Sequence, residues 1–165
     1  MQVNKYLNNT ERQLLIGICK TNITSDTRNS ILILTALDCG LRAQELLNLT
    51  VSDVDFGNKT IWVKTLKKGN PRTIPAPDCL LKYIKTLSSE VIFPISYQRL
   101  VQVWHLYRPC KKKFHSLRHT FAIRLYKKTK DVRLVQVALG HCNITNTMIY
   151  ADYVYSQQEL RRLIL

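Results

Sequence analysis

Two glycine turns, Gly57-Asn58 and Lys68-Gly69-Asn70, interrupt a sequence that otherwise reads as helix. Around them lie residues 51–56, 60–66 and 72–74, short runs carrying Val, Ile, Thr and aromatic side chains. Runs of this kind joined by Gly-Asn turns predict β-hairpins. The chain is therefore expected to be an α+β protein, mainly helical, with one small three-stranded antiparallel sheet.

The helices can be placed from their caps and apolar spacing. Thr10-Glu11-Arg12-Gln13 resembles a capping box opening a first helix, with Leu14, Leu15 and Ile18 on its inner face. Ser25 or Asp26 caps a second helix over 27–39, rich in Ile and Leu, and Gly40 stops it. A third, 43–48, leaves Arg42 at the junction of two helices. Later helices are expected over 78–87, 96–107, 117–128, 132–139, 144–150 and 156–165, with Pro94 and Pro109 marking links. At 165 residues the chain reads as one domain, able to bury roughly 70% of its unfolded surface without a staple.

Charge narrows the partners. Twenty-five Lys and Arg face 11 Asp and Glu, a net charge of +14. An excess of this size points to a polyanion, and to nucleic acid over an anionic membrane surface. The longest apolar run, 31–37, is far short of the ~20 residues that span a bilayer, and the first residues lack a signal-peptide core. The five cysteines are scattered and form no Cys-x-x-Cys, which suits reduced thiols in a cytoplasmic protein. A zinc site through Cys110, His115 and Cys142 would lack paired ligand spacing.

Several residues suit phosphate chemistry. His115-Ser116-Leu117-Arg118-His119 is followed by Leu139-Gly140-His141, and Tyr150 comes nine residues after that histidine. A helix starting near Ser116 would aim its first amides at an anion. Arg118 offers a planar fork for two phosphate oxygens, and His115 can donate to another oxygen or shuttle a proton. Arg42 stands at a helix start, where a cation is disfavoured, so a bound phosphate or the nearby Glu45 would explain it. Glu45 reads equally as a group orienting Arg42 and as a plain helix acid. Lys67 and Lys68 sit at a hairpin tip, as in an ordinary basic turn or as a proton donor. The segment 108–113 is a basic linker suited to DNA backbone. A phenol with a pKa near about 10 attacks well only where cations favour the phenolate. Composition alone does not choose Tyr150 over Tyr153 or Tyr155.

Taken together, over residues 10 to 155, these boxes resemble the catalytic domain of the tyrosine recombinases: phage integrases, chromosome-dimer resolution recombinases and fimbrial invertases. The first arginine box resembles Gly40-Leu41-Arg42-Ala43-Gln44-Glu45-Leu46, and the hairpin lysine box resembles Lys67-Lys68-Gly69-Asn70-Pro71-Arg72-Thr73-Ile74-Pro75. The His-x-x-Arg box is similar to 115–122, the Leu-Gly-His box to 139–141, and the nucleophile box to 143–150. Spacing back from Pro75 and Arg72 selects Lys67, whereas the Lys-Gly-Asn form of the box selects Lys68. Spacing from His141 selects Tyr150.

The resemblance implies a DNA strand transferase acting on double-stranded DNA without metal or nucleotide cofactor. Tyr150 would form a 3′-phosphotyrosine. Arg42, Arg118, His115 and His141 would hold the phosphate oxygens, and Lys67 would protonate the leaving 5′ oxygen. His115 would also be placed to accept the tyrosine proton. A homotetramer on DNA resolving through a Holliday junction, together with accessory DNA-bending proteins, belongs to the same picture. The segment 155–165 would suit either docking on a neighbouring protomer or packing on its own domain. The chain is expected to be a single catalytic domain over 1–165 with no separate N-terminal clamp domain. Two alternatives stand beside this reading: a non-catalytic DNA-binding regulator derived from a recombinase, and a type IB topoisomerase.

Overall fold

The computed structural model describes residues 5–65, 69–151, 161, 162 and 164. Three helices open the fold: α1 (Asn9–Thr21), α2 (Thr27–Cys39) and α3 (Ala43–Leu47). A 3-10 turn over Val51–Asp53 leads into the strands β1 (Val54–Asp55), β2 (Thr60–Val63) and β3 (Arg72–Pro75). Five helices follow: α4 (Asp78–Ile84), α5 (Tyr97–Tyr107), α6 (Ser116–Thr129), α7 (Val132–Leu139) and α8 (Thr145–Ala151). The sheet is antiparallel in the order β1-β2-β3, as the glycine turns predict.

Helix α2 is buried along nearly its whole length and packs against α1, α4 and α6. A helix apolar on all sides belongs in the middle of a fold, and its Ile and Leu run accounts for that place. Near its start, buried polar groups are partnered. Ser30 Oγ lies 3.1 Å from Tyr107 Oη, and that hydroxyl donates to Asp26 Oδ2 at 2.9 Å. A second, smaller cluster joins Ala122, Ile123 and Tyr126 of α6 to Val135 and Leu139 of α7 and Tyr150 of α8. Phe121 packs against both clusters.

The sheet follows the period of two. Ile61 and Val63 point inward while Trp62 stays 45% exposed. On β3 the inward positions are Ile74 and, unusually, Arg72. That buried guanidinium belongs to the site described below.

Three local expectations are corrected. Helix α1 begins at Asn9 and is capped by Asn8, whose Oδ1 accepts from Glu11 N while Glu11 Oε2 accepts from Asn8 N, both at 2.8 Å. The capping box is therefore Asn8 with Glu11, because an Asn side chain reaches the third amide as well as a Thr does. Leu14 faces solvent (55% exposed), and Leu15 with Cys19 forms the inner face. Residues 51–53 are not strand, because Asp53 Oδ2 accepts from both N and Oγ1 of Thr50 and winds the backbone into a turn. The last predicted helix, 156–165, falls outside the described residues except at 161, 162 and 164, which are helical. The docking expected of 155–165 falls outside them as well.

Gly40 ends α2 in the left-handed conformation, with φ at 61°. A Cβ there would collide with the ring of Phe121 on α6. The position therefore combines backbone strain with overpacking. Gly40→Ala is expected to lose about 2–4 kcal/mol of stability by urea unfolding. A change within about 0.5 kcal/mol would show that neither constraint holds.

Candidate active site

The site is built around one buried carboxylate. Glu45 lies on α3 at 5% exposure, and its two oxygens serve three arginines. The backbone N and Nη1 of Arg42 each donate to it at 2.8 Å. Arg72 donates through Nη1 and Nη2 at 3.1 and 3.0 Å, a two-pronged pair. Arg118 Nη1 stands 3.7 Å from Oε2. Burial alone would raise the Glu45 pKa, but the hydrogen bonds and charge of Arg72, with help from Arg42 and Arg118, bring it below the ordinary value of 4.5. Both sequence readings of Glu45 are thus decided: it orients Arg42, and other cations besides.

Arg118 sits in the first turn of α6 and is 1% exposed. It donates to the carbonyls of Gly40 at 2.8 Å and Leu139 at 2.6 Å. The C-terminal ends of α2 and α7 are thereby tied to one guanidinium, which suits a cation at the negative end of each helix. Burial, then repulsion from Arg42, pull its pKa down to about 9, so it remains protonated at neutral pH. Arg72 completes the frame by donating from Nε to Ala138 O at 2.7 Å.

The Leu-Gly-His turn is held against the sheet. Gly140 has φ of 66°, and a Cβ there would come within 2.5 Å of Asn70 O. That approach allows Asn70 N to donate to Gly140 O at 3.0 Å. His141 follows, with Nδ1 bonded to Thr147 Oγ1 at 2.9 Å, which leaves Nε2 for a ligand. Its pKa falls to about 4 through burial and the charges of Arg118, Arg42 and Arg72. His115 stands exposed just before α6. Partial burial and the same guanidiniums, Arg118 and Arg42, lower its pKa as well.

Tyr150 closes the group from α8. It is 2% exposed, and burial raises its pKa even though Arg118 and Arg42 act to lower it. Its hydroxyl does not meet His115. It lies 2.9 Å from Nδ1 of His119, whose ring stands edge-on to that of His115 at 4.7 Å between centroids.

Five of the six predicted site residues therefore converge: His115, His141 and Tyr150 each feel the charges of Arg42 and Arg118. Lys67, the sixth, and its neighbour Lys68 lie outside the described residues. Tyr153 and Tyr155 lie outside them too. Two residues had no assigned role in the sequence reading. His119 is one helical turn beyond His115, on the same face, and that spacing was its signal. Arg72 shares the inward register of β3 with Ile74, and a charged residue at a core position calls for a partner. The basic linker is only partly available to a ligand. Lys112 Nζ is engaged by Glu11 and by Tyr6 O, while Lys111 and Lys113 remain exposed.

Residues 5–157 match the Phage integrase family. The chain belongs to that family. Among its relatives, Tyrosine recombinase XerA of Saccharolobus solfataricus is 36% identical over 160 residues, covering 91% of this chain and 53% of that protein. XerA of Pyrococcus horikoshii is 31% identical, over 78% of this chain and 52% of that protein. This integrase-family chain thus spans about half the length of the curated relatives it matches. Among solved structures, that of XerA recombinase superposes with a TM-score of 0.72 at 27% identity, over 99% of this chain and 64% of that one. The XerH site-specific recombinase bound to palindromic difH substrate, a post-cleavage complex, gives 0.73 at 23% identity, over 99% of this chain and 53% of that one. The α+β fold read from the sequence is that of the family's catalytic domains.

The site carries a pH signature. In the unfolded chain His119 and His141 take up a proton near 6.5, but in the folded protein only near about 4. Unfolding therefore binds protons between these values, and stability falls as pH drops through the window. Loss of Glu45 ionisation adds to the fall below its unfolded value of 4.5. Urea midpoints measured from pH 7 to 4 are expected to decline throughout, and less steeply in His141→Asn. A midpoint independent of pH over this range would contradict the assignment of neutral folded histidines.

Proposed function

We propose that this chain is a site-specific DNA recombinase of the integrase or invertase type, cleaving and rejoining DNA through a 3′-phosphotyrosyl intermediate. The observation that carries the reading is the packing of Tyr150 with Arg42, Arg118, His115 and His141 about one buried carboxylate. A phosphodiester in attack by a phenol gains negative charge on its nonbridging oxygens. Preorganised donors aimed at that charge are the largest single contribution to such catalysis.

Each side chain has a part in this scheme. Arg42, half-exposed and steered by Glu45, offers its remaining N–H groups to one nonbridging oxygen. Arg118 supplies a fixed cation behind the phosphate, and His141 and His115 donate as neutral imidazoles. Tyr150 attacks phosphorus, and Lys67, which falls between β2 and β3 in the sequence, protonates the leaving 5′ oxygen. The reaction calls for no metal or nucleotide: guanidiniums balance the charge, and the phosphotyrosine conserves the energy of the broken bond. Attack by the 5′-hydroxyl of a second strand then rejoins DNA through a Holliday junction.

Double-stranded DNA is the partner, supported by a net charge of +14 and by the DNA complexes of XerH. The 165 residues act as one catalytic domain, assembled as a homotetramer on DNA with accessory DNA-bending proteins. The setting is the bacterial or phage-infected cytoplasm, at the nucleoid. Arg118 and Tyr150 are both covered in the protein alone, so phosphate binding requires α8, which packs on α6 and α7, to shift.

Nicked duplexes with a randomised central segment test this directly. Loss of the short fragment beside the nick traps any covalent intermediate. Wild type is expected to yield a protein–DNA adduct on a selected subset of duplexes, and Tyr150→Phe none. Absence of any adduct with wild type would favour DNA binding without catalysis. Adducts across the pool without sequence preference, with relaxation of any supercoiled plasmid, would favour a topoisomerase.

A further inference from the structure

The nucleophile must lose a proton before or as it attacks, and the protein makes that hard. Burial raises the Tyr150 phenol above its ordinary value of 10.0 despite two nearby guanidiniums. A phenol so placed attacks well only with a base in contact. General bases work within about 2.6–3.2 Å of the proton they take. His119 Nδ1 meets that requirement at 2.9 Å from the hydroxyl, with the two rings tilted at 54°. His115, to which the resemblance gives this task, is one turn farther back and touches His119 edge-on.

We propose that His119 is the general base for the reaction, taking the Tyr150 proton directly on Nδ1. The proposal rests on the reading of Tyr150 as the nucleophile. In the forward step the phenolic O–H breaks and its proton goes to Nδ1. The oxygen's electron pair forms the bond to phosphorus, the bond from phosphorus to O5′ breaks, and O5′ takes a proton from Lys67. In the reverse step the incoming 5′-hydroxyl gives its proton back to Lys67 as its oxygen bonds to phosphorus, the bond from phosphorus to the Tyr150 oxygen breaks, and the imidazolium returns its proton to the departing phenolate.

The surroundings of His119 keep it available for this. Its own helix places His115 and Arg118 against it, Lys5 approaches from the N-terminal segment, His141 from the turn after α7, and Tyr150 from α8. Burial first, and then His115, Arg118, Lys5 and His141, lower its pKa to about 4. The imidazole is therefore neutral at neutral pH, and the Nε2–H tautomer is the one that lets Nδ1 accept from the Tyr150 hydroxyl. The same neighbours make it a weak base while DNA is absent. A phosphodiester anion arriving at Arg118 offsets one of the charges that depress it, so His119 gains basicity when the substrate is in place.

A sulfur substitution separates base from acid. In a duplex carrying sulfur at the bridging 5′ position of the scissile phosphate, the leaving group needs no proton. Single-turnover cleavage of a duplex selected as above is measured with oxygen and with sulfur at that position, for wild type, His119→Phe, His119→Asn and Lys67→Ala, from pH 5 to 9. His119→Asn keeps a hydrogen-bonding group near the hydroxyl but cannot take its proton, and it guards against a Phe variant that fails to fold. Both His119 variants are expected to bind DNA as wild type does, yet cleave about 100-fold or more slowly with either leaving group. Sulfur is expected to restore Lys67→Ala alone, and the acid limb of the wild-type pH profile is expected to vanish in His119→Asn. Cleavage by His119→Asn at the wild-type rate, or its rescue by sulfur, overturns the assignment. If wild type itself forms no adduct, it is the recombinase reading that fails.

Discussion

A single carboxylate, Glu45, ties together parts of the chain that lie far apart in the sequence. Arg42 comes from the turn after α2, Arg72 from the last strand and Arg118 from the start of α6, and all converge on its two oxygens. Through these guanidiniums the grip extends to Gly40 O, Ala138 O and Leu139 O. Burying an ion pair seldom adds net stability, since desolvation offsets the attraction. The network is better understood as specifying position: three cations that repel one another are fixed near a common point.

Burial and the same charges together shift Arg118, His115, His141 and Tyr150 around it. Burial and nearby guanidiniums hold His115 and His141 below the ordinary histidine value, so in the proposed reaction they would donate to phosphate without adding to an already large positive charge. The phenol of Tyr150 is pulled two ways, by burial toward the protonated form and by Arg118 and Arg42 toward the phenolate. In the proposed reaction, a phosphate entering the site would remove part of the repulsion among the cations, and bound DNA would relieve the conflict between function and local stability that the folded protein stores.

The sequence carried more of the chemistry than of the wiring. Arg42, His115, Arg118, His141 and Tyr150 were legible because each sits in a box of fixed spacing, and the bounds of α7 and α2 were legible too, with Gly40 stopping α2, although Asp26 makes no side-chain cap there. What stayed hidden depends on contacts between distant residues. Nothing local says that Arg72 pairs with Glu45, or that His119 rather than His115 meets Tyr150. Local chemistry misled where two readings competed. Thr50 with Asp53 wound a turn into an apparent strand, and Asn8 displaced Thr10 as the first cap. Lys67 and Lys68 lie outside the described residues, so the choice between them rests on spacing.

The claim that Glu45 organises the site is tested most directly by urea unfolding of Glu45→Gln, which keeps the side chain's shape and removes its charge. The network predicts a loss of about 3–5 kcal/mol, because Arg72 and Arg118 are then buried without a counter-ion. A variant within about 0.5 kcal/mol of wild type would contradict it.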